Sequence, residues 1–195
     1  MINSQSEKPS KPLGLIEFAA FVWGVCEASF FFLVPDLLLM AIGIMSFKRG
    51  LRAIGFAVFG ALCGGMMLYS VAALSLIESE ALSAFLLDIP FISGSMLETI
   101  DNGMAVSPEM TLLTSGFIGI PYKIYAVFAG LHGMNVLSFL LLSGLMRTLR
   151  FTFLVLLVEF LLKRPLKRHC TLKQIYVIWA LISGAIYLIY FILIV

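Results

Sequence analysis

Five ionisable residues stand inside long apolar runs of this sequence: Glu27, Asp36, Lys123, Arg147 and Arg150. Glu27 lies in Trp23-Gly-Val-Cys-Glu-Ala-Ser-Phe-Phe-Phe-Leu, and Asp36 in Val34-Pro-Asp-Leu-Leu-Leu-Met. Lys123 follows Pro121-Tyr122, and the arginines interrupt Leu140-Leu-Leu-Ser-Gly-Leu-Met-Arg-Thr-Leu-Arg-Phe-Thr-Phe. One charge at a bilayer centre costs roughly 2.5–3.5 kcal/mol on insertion scales. Five unpaired charges would cost ~10 kcal/mol or more, as much as a whole domain's stability. They are therefore expected to be paired or hydrated. Arg147 and Arg150 are spaced i, i+3 and share one helix face. Facing a cavity, two guanidiniums can bind phosphate oxygens bidentately, with Lys123 as a third cation. Glu27 and Asp36 can neutralise the arginines at rest and exchange protons.

Each residue also has a plainer reading. The arginines could sit at an interfacial break between two short helices, and Glu27 could form a purely structural ion pair. Asp36, after Pro35, could cap the helix that follows. Lys123 could snorkel to the membrane surface. Gly60, Ala61, Gly64 and Gly65 form a small-residue face suited to close helix packing. Other chemistries lack their residues. No nucleophile elbow, HExxH or phosphate-loop spacing is present, so no enzymatic activity is expected. Cys26, Cys63 and Cys170 show no metal-binding spacing and are expected to be free thiols. His132 stands apart from other ligand types, and no metal or other cofactor is expected.

The positioning elements follow from composition. Of the 195 residues 61% are hydrophobic and 12% charged, with mean hydropathy +1.06. Soluble chains run near 45–50% apolar and about 25% charged, so the expected solvent is lipid. A net charge of +2 and a pI near 8.5 give no reason to expect nucleic acid. The expected fold is all-α and integral to the membrane: a single domain over 13–195 behind a polar cytoplasmic tail, 1–12. Leu13–Phe47 is too long for one span and has cations at both ends; a tight pair of spans satisfies this, as does a re-entrant hairpin, the reading adopted for the topology. Ile54–Ile77 reads as a transmembrane helix. Residues 78–109 hold six acids and no Lys or Arg, and read as an external acidic stretch. Met110–Gly133, broken at Gly119 and Pro121, reads as a second hairpin entering from the opposite face. Met134–Leu162 and Ile175–Val195 complete three transmembrane helices. The basic cluster from Lys163 to Lys173 is then cytoplasmic, as are all others. Pro35-Asp36 before Ala41-Ile42-Gly43 and Pro121-Tyr122-Lys123 before Ala129-Gly130 form a faint inverted-repeat-like pattern, a transporter design.

At these motifs the chain resembles the DedA superfamily, also called the SNARE-associated or VTT-domain family, and most of all its small YqaA-type branch. Glu27 with Pro35-Asp36-x-Leu38-Leu39 and Ala41-Ile42-Gly43 is similar to the family's acidic first hairpin. Gly60-Ala-Leu-Cys-Gly-Gly-Met-Met-Leu-Tyr69 resembles its glycine-rich helix. Phe117-Ile-Gly-Ile-Pro-Tyr-Lys123 with Ala129-Gly130 and Met134 looks like the second hairpin, and Phe139 with Arg147 and Phe151 like the helix after it. The likeness covers about Phe18 to Leu162. Two positions depart from it: Asp36 directly follows the proline, and Lys123 stands where the broader family usually has Arg. A lysine is a point charge rather than a fork.

The resemblance implies two opposed re-entrant hairpins and a lipid flippase or scramblase of a bacterial inner membrane, moving undecaprenyl phosphate or a phospholipid with proton motive force. The expected partners are that lipid and protons, with a homo-oligomer possible through the Gly60–Gly65 face. The expected N-terminus is cytoplasmic and the C-terminus outside. A membrane assembly factor, a proton or small-ion transporter and a lipid-phosphate enzyme stand as alternatives.

Overall fold

The computed structural model describes residues 13–31 and 35–194, and every regular element among them is a helix. The expected tail, 1–12, and part of the first turn, 32–34, lie outside the described residues. In the first half, α1 (Leu13–Ser29) and α2 (Asp36–Met45) form a helix–break–helix unit. Ser46 alone, with an extended backbone (φ −156°, ψ 119°), separates α2 from α3 (Phe47–Ala73). The second half has a similar unit, α6 (Pro108–Thr114) and α7 (Tyr122–Leu131), leading into α8 (Val136–Leu157). Between the halves stand α4 (Ser79–Leu87) and α5 (Gly94–Val106). After α8 come a π-helical turn (Val158–Lys163), a single turn α9 (Arg164–Leu166) and α10 (Leu172–Ile194).

Glycine decides how closely α1 and α3 approach. A Cβ on Gly60 would collide with the Phe21 carbonyl, and one on Gly64 with the Val25 carbonyl. Gly24 of α1 answers by lying against the Ala57 carbonyl. The small-residue face is therefore used within the chain, not left open to a second copy. Helix α7 is the innermost element, buried at every position from Tyr122 to Gly130. It packs on α3, where Gly130 meets the Tyr69 carbonyl, while α2 packs on α8. Gly133, at φ +64°, makes the reversal into α8. Asn135 then caps that helix, its side-chain oxygen accepting from the amides of Leu137 (2.9 Å) and Ser138 (3.2 Å). Tyr69 ties the reversal to α3 by donating to the Met134 carbonyl.

Two expected elements take another form. Helix α3 starts at Phe47 rather than Ile54, because Lys48, Arg49 and Arg52 continue the helix instead of forming a loop. The acidic stretch 78–109 is helical and packed against the rest of the chain. Its helices turn Leu82, Leu86, Leu97, Ile100 and Met104 into the same core cluster as α7 and leave their acids outside. Among the described residues α3 is the helix long and apolar enough to cross a membrane by length and composition. Helix α8 exposes Leu137, Leu141, Leu145, Leu149 and Phe153, one every fourth residue, and α10 exposes Val177, Leu181 and Ile182.

Candidate functional site

The two helix breaks face each other. Lys123, in the first turn of α7, extends its ammonium to the Phe31 carbonyl just after α1, at 2.7 Å. The residue is only 1% exposed, so the snorkelling alternative gives way to a contact between the two helix–break–helix units. Helix α8 runs unbroken through Arg147 and Arg150, which removes the interfacial-break alternative. Arg147 meets Glu27 of α1 as a fork, Nη1 to Oε2 at 2.8 Å and Nη2 to Oε1 at 3.2 Å. Both side chains are buried. One turn on, Arg150 donates from Nε (3.1 Å) and Nη2 (2.5 Å) to Asp36 Oδ2. Asp36 therefore does not cap α2 with its side chain: Pro35 is the N-cap residue and the carboxylate reaches α8 instead. Its place in the first turn still suits the helix dipole.

An aromatic column supports Arg147. Its guanidinium lies over the Tyr122 ring at 4.0 Å and 5.7 Å from that of Phe151. Tyr122 stacks towards Phe139 (6.2 Å), which stacks on Tyr69 (4.9 Å). Gly65 leaves room for the Tyr122 ring, since a Cβ there would come within 2.5–2.8 Å of it. The stack holds the guanidinium at a set depth while its fork grips Glu27.

All five expected residues line one cavity of about 420 Å³, within the 300–1,000 Å³ typical of ligand sites. Its walls are mostly apolar, with Leu37, Met40, Phe151 and Leu154 beside the charges. Three cations and two carboxylates leave it one formal positive charge in excess. Sequence reasoning passed over three contributors. Tyr122 was visible only as part of Pro-Tyr-Lys. Residues 89–92 cross the cavity from the inter-half segment, with Phe91 at φ +69°, a backbone region bulky residues seldom adopt. Ser183 and Ile186 join the cavity from α10. The Pro90 punctuation was the available signal for the second; only packing brings in the third. Glu159 was missed as well: it is buried in the π-turn and pairs with Lys163 at 3.0 Å. His132 contacts Asp101 at 2.6 Å near the surface, and the three cysteines are free thiols.

The arrangement is suited to anion exchange. A buried arginine stripped of its carboxylate is left as an uncompensated charge, a loss of about 3–5 kcal/mol. An entering anion that replaces the carboxylate avoids that loss. Compared with known proteins, the chain matches no family model, no curated protein and no solved structure.

Proposed function

We propose that this chain is an integral membrane protein that translocates a phosphate-bearing lipid, of the class of undecaprenyl phosphate or a phospholipid. The observation that carries the reading is the three-cation, two-carboxylate cluster facing a largely apolar cavity, with Lys123 hydrogen-bonded to a neutral carbonyl. The exposed apolar rows of α8 and α10 support lipid as the surrounding solvent, because contiguous patches of that kind aggregate in water. The two helix–break–helix units act as re-entrant hairpins, the basic end from Lys163 to Lys173 faces the cytoplasm, and the acids of 78–109 face outward. The resemblance to the DedA superfamily leads the same way. In the cycle, the lipid phosphate displaces Asp36 from Arg150, the more exposed pair, and then engages Arg147 and Lys123 while the tail stays in lipid. The displaced carboxylates return to the arginines when the phosphate leaves.

The test is movement of labelled undecaprenyl phosphate and of a labelled phospholipid in vesicles holding the purified chain, with and without a pH gradient. Movement lost in Arg147→Lys and in Glu27→Gln supports the proposal. No movement of either lipid under any gradient overturns it. A second reading, proton or small-ion transport, has one observation in its favour: Asp36 Oδ1 is buried beside the cavity and has no hydrogen-bond partner among the described residues. Ion flux without lipid flux would select that reading.

A further inference from the structure

A second cleft, of about 690 Å³, opens where α2 ends and α3 begins, and Lys48, Lys163 and Lys167 line it. It lies at the far end of α2 from Asp36, about 15 Å away along ten residues of helix. Local rules are broken there in one direction. A helix N-terminus carries about half a positive charge and favours acids in its first turn. The first turn of α3 has no acid and holds Lys48 and Arg49. Ser46, at the N-cap position, makes no side-chain hydrogen bond to the free amides. Lys163 is half spent: it pairs with Glu159 at 3.0 Å and donates to the Gly43 carbonyl of α2 at 3.2 Å. Lys48 and Lys167 are exposed, and neither makes an ion pair among the described residues. The accessible lining is otherwise apolar, with Met45 at the end of α2 and Leu172 at the start of α10 both exposed.

We infer that this cleft binds the phosphate of an anionic phospholipid, whose acyl chain lies along Met45 and Leu172. The lysines and uncapped amides recognise the phosphate, and the apolar lining selects a lipid over a soluble anion. Basic pockets between membrane helices on the cytoplasmic side recognise such headgroups. The ligand bridges Lys48 to Lys167 and so clasps the α2–α3 junction to the segment after α8. The inference needs the chain to lie in a bilayer but does not need it to transport anything.

The test places the full chain in phosphatidylcholine nanodiscs containing a minor fraction of phosphatidylglycerol, releases it, and counts retained lipids by native mass spectrometry. Phosphatidylglycerol should be retained in preference, and Lys48→Gln/Lys167→Gln should lower its retention about tenfold. The loss should be equally large in an Arg147→Lys background, because the two sites are separate. Equal retention of both lipids, or retention unchanged in the double variant, overturns the inference. So does release of phosphatidylglycerol by inorganic phosphate, which would assign the cleft to a soluble anion. A chain that does not enter the discs overturns the membrane reading as well; one that enters without lipid preference overturns this inference alone.

Discussion

Arg147 is the residue at which charge, shape and depth act together. Arg147→Gln leaves Glu27 as a buried unpaired carboxylate and should cost about 3–5 kcal/mol. Glu27→Gln/Arg147→Gln should cost less than the sum of its single changes, because neither charge is then left alone. Thermal melts of the detergent-solubilised variants check this, and additive losses would mean that the pair is not coupled. Arg147→Lys keeps the charge but loses the fork and the contact with Tyr122, so it should stay folded and lose transport. Lys123→Met keeps the length of the side chain and removes its hydrogen bond to Phe31. It should also abolish lipid movement in vesicles, since the contact with Phe31 and the third cation go together. Full activity in Lys123→Met would restrict the site to the arginines.

At the scale of elements, the backbone contact of α1 with α3 predicts that position matters more than residue type. Gly60→Ala forces the helices apart at the Phe21 carbonyl and should destabilise by about 1–3 kcal/mol. Gly55→Ala, on the same helix but exposed with open space around it, should be neutral or stabilise by up to about 1 kcal/mol. Melting temperatures of the two variants would separate close packing from simple helix propensity, and an equal response would remove packing as the cause. The π-turn at Val158–Lys163 has a local reason. Pro165 has no amide hydrogen and its ring crowds the preceding turn, so the helix widens just before it. That widening brings Glu159 inward against Lys163.

For the whole molecule, the separation of charge predicts orientation. A cysteine replacing exposed Ser79 at the start of α4 should react with a membrane-impermeant thiol reagent added to intact cells. A cysteine replacing Arg168 should react only after the cells are opened. The opposite pattern would invert the topology and place the basic cleft outside.

Much of this was legible in the residues themselves. Helical class, the two broken units and the five costly charges follow from local properties: runs of apolar residues, proline and glycine punctuation, and the expense of an ion away from water. The sequence by itself also determined that the charges needed partners. Which partners they took was decided only by tertiary structure. Glu27 and Arg147 are separated by 120 residues, Asp36 and Arg150 by 114, and Lys123 and Phe31 by 92. No periodicity encodes such pairings; they arise because glycine contacts set how α1, α3 and α7 nest. The same holds for residues 78–109: their acids were visible as an acidic stretch, but only packing shows that their apolar faces close over α7. Composition reports which solvent a segment tolerates, whereas packing decides which of its faces meets that solvent.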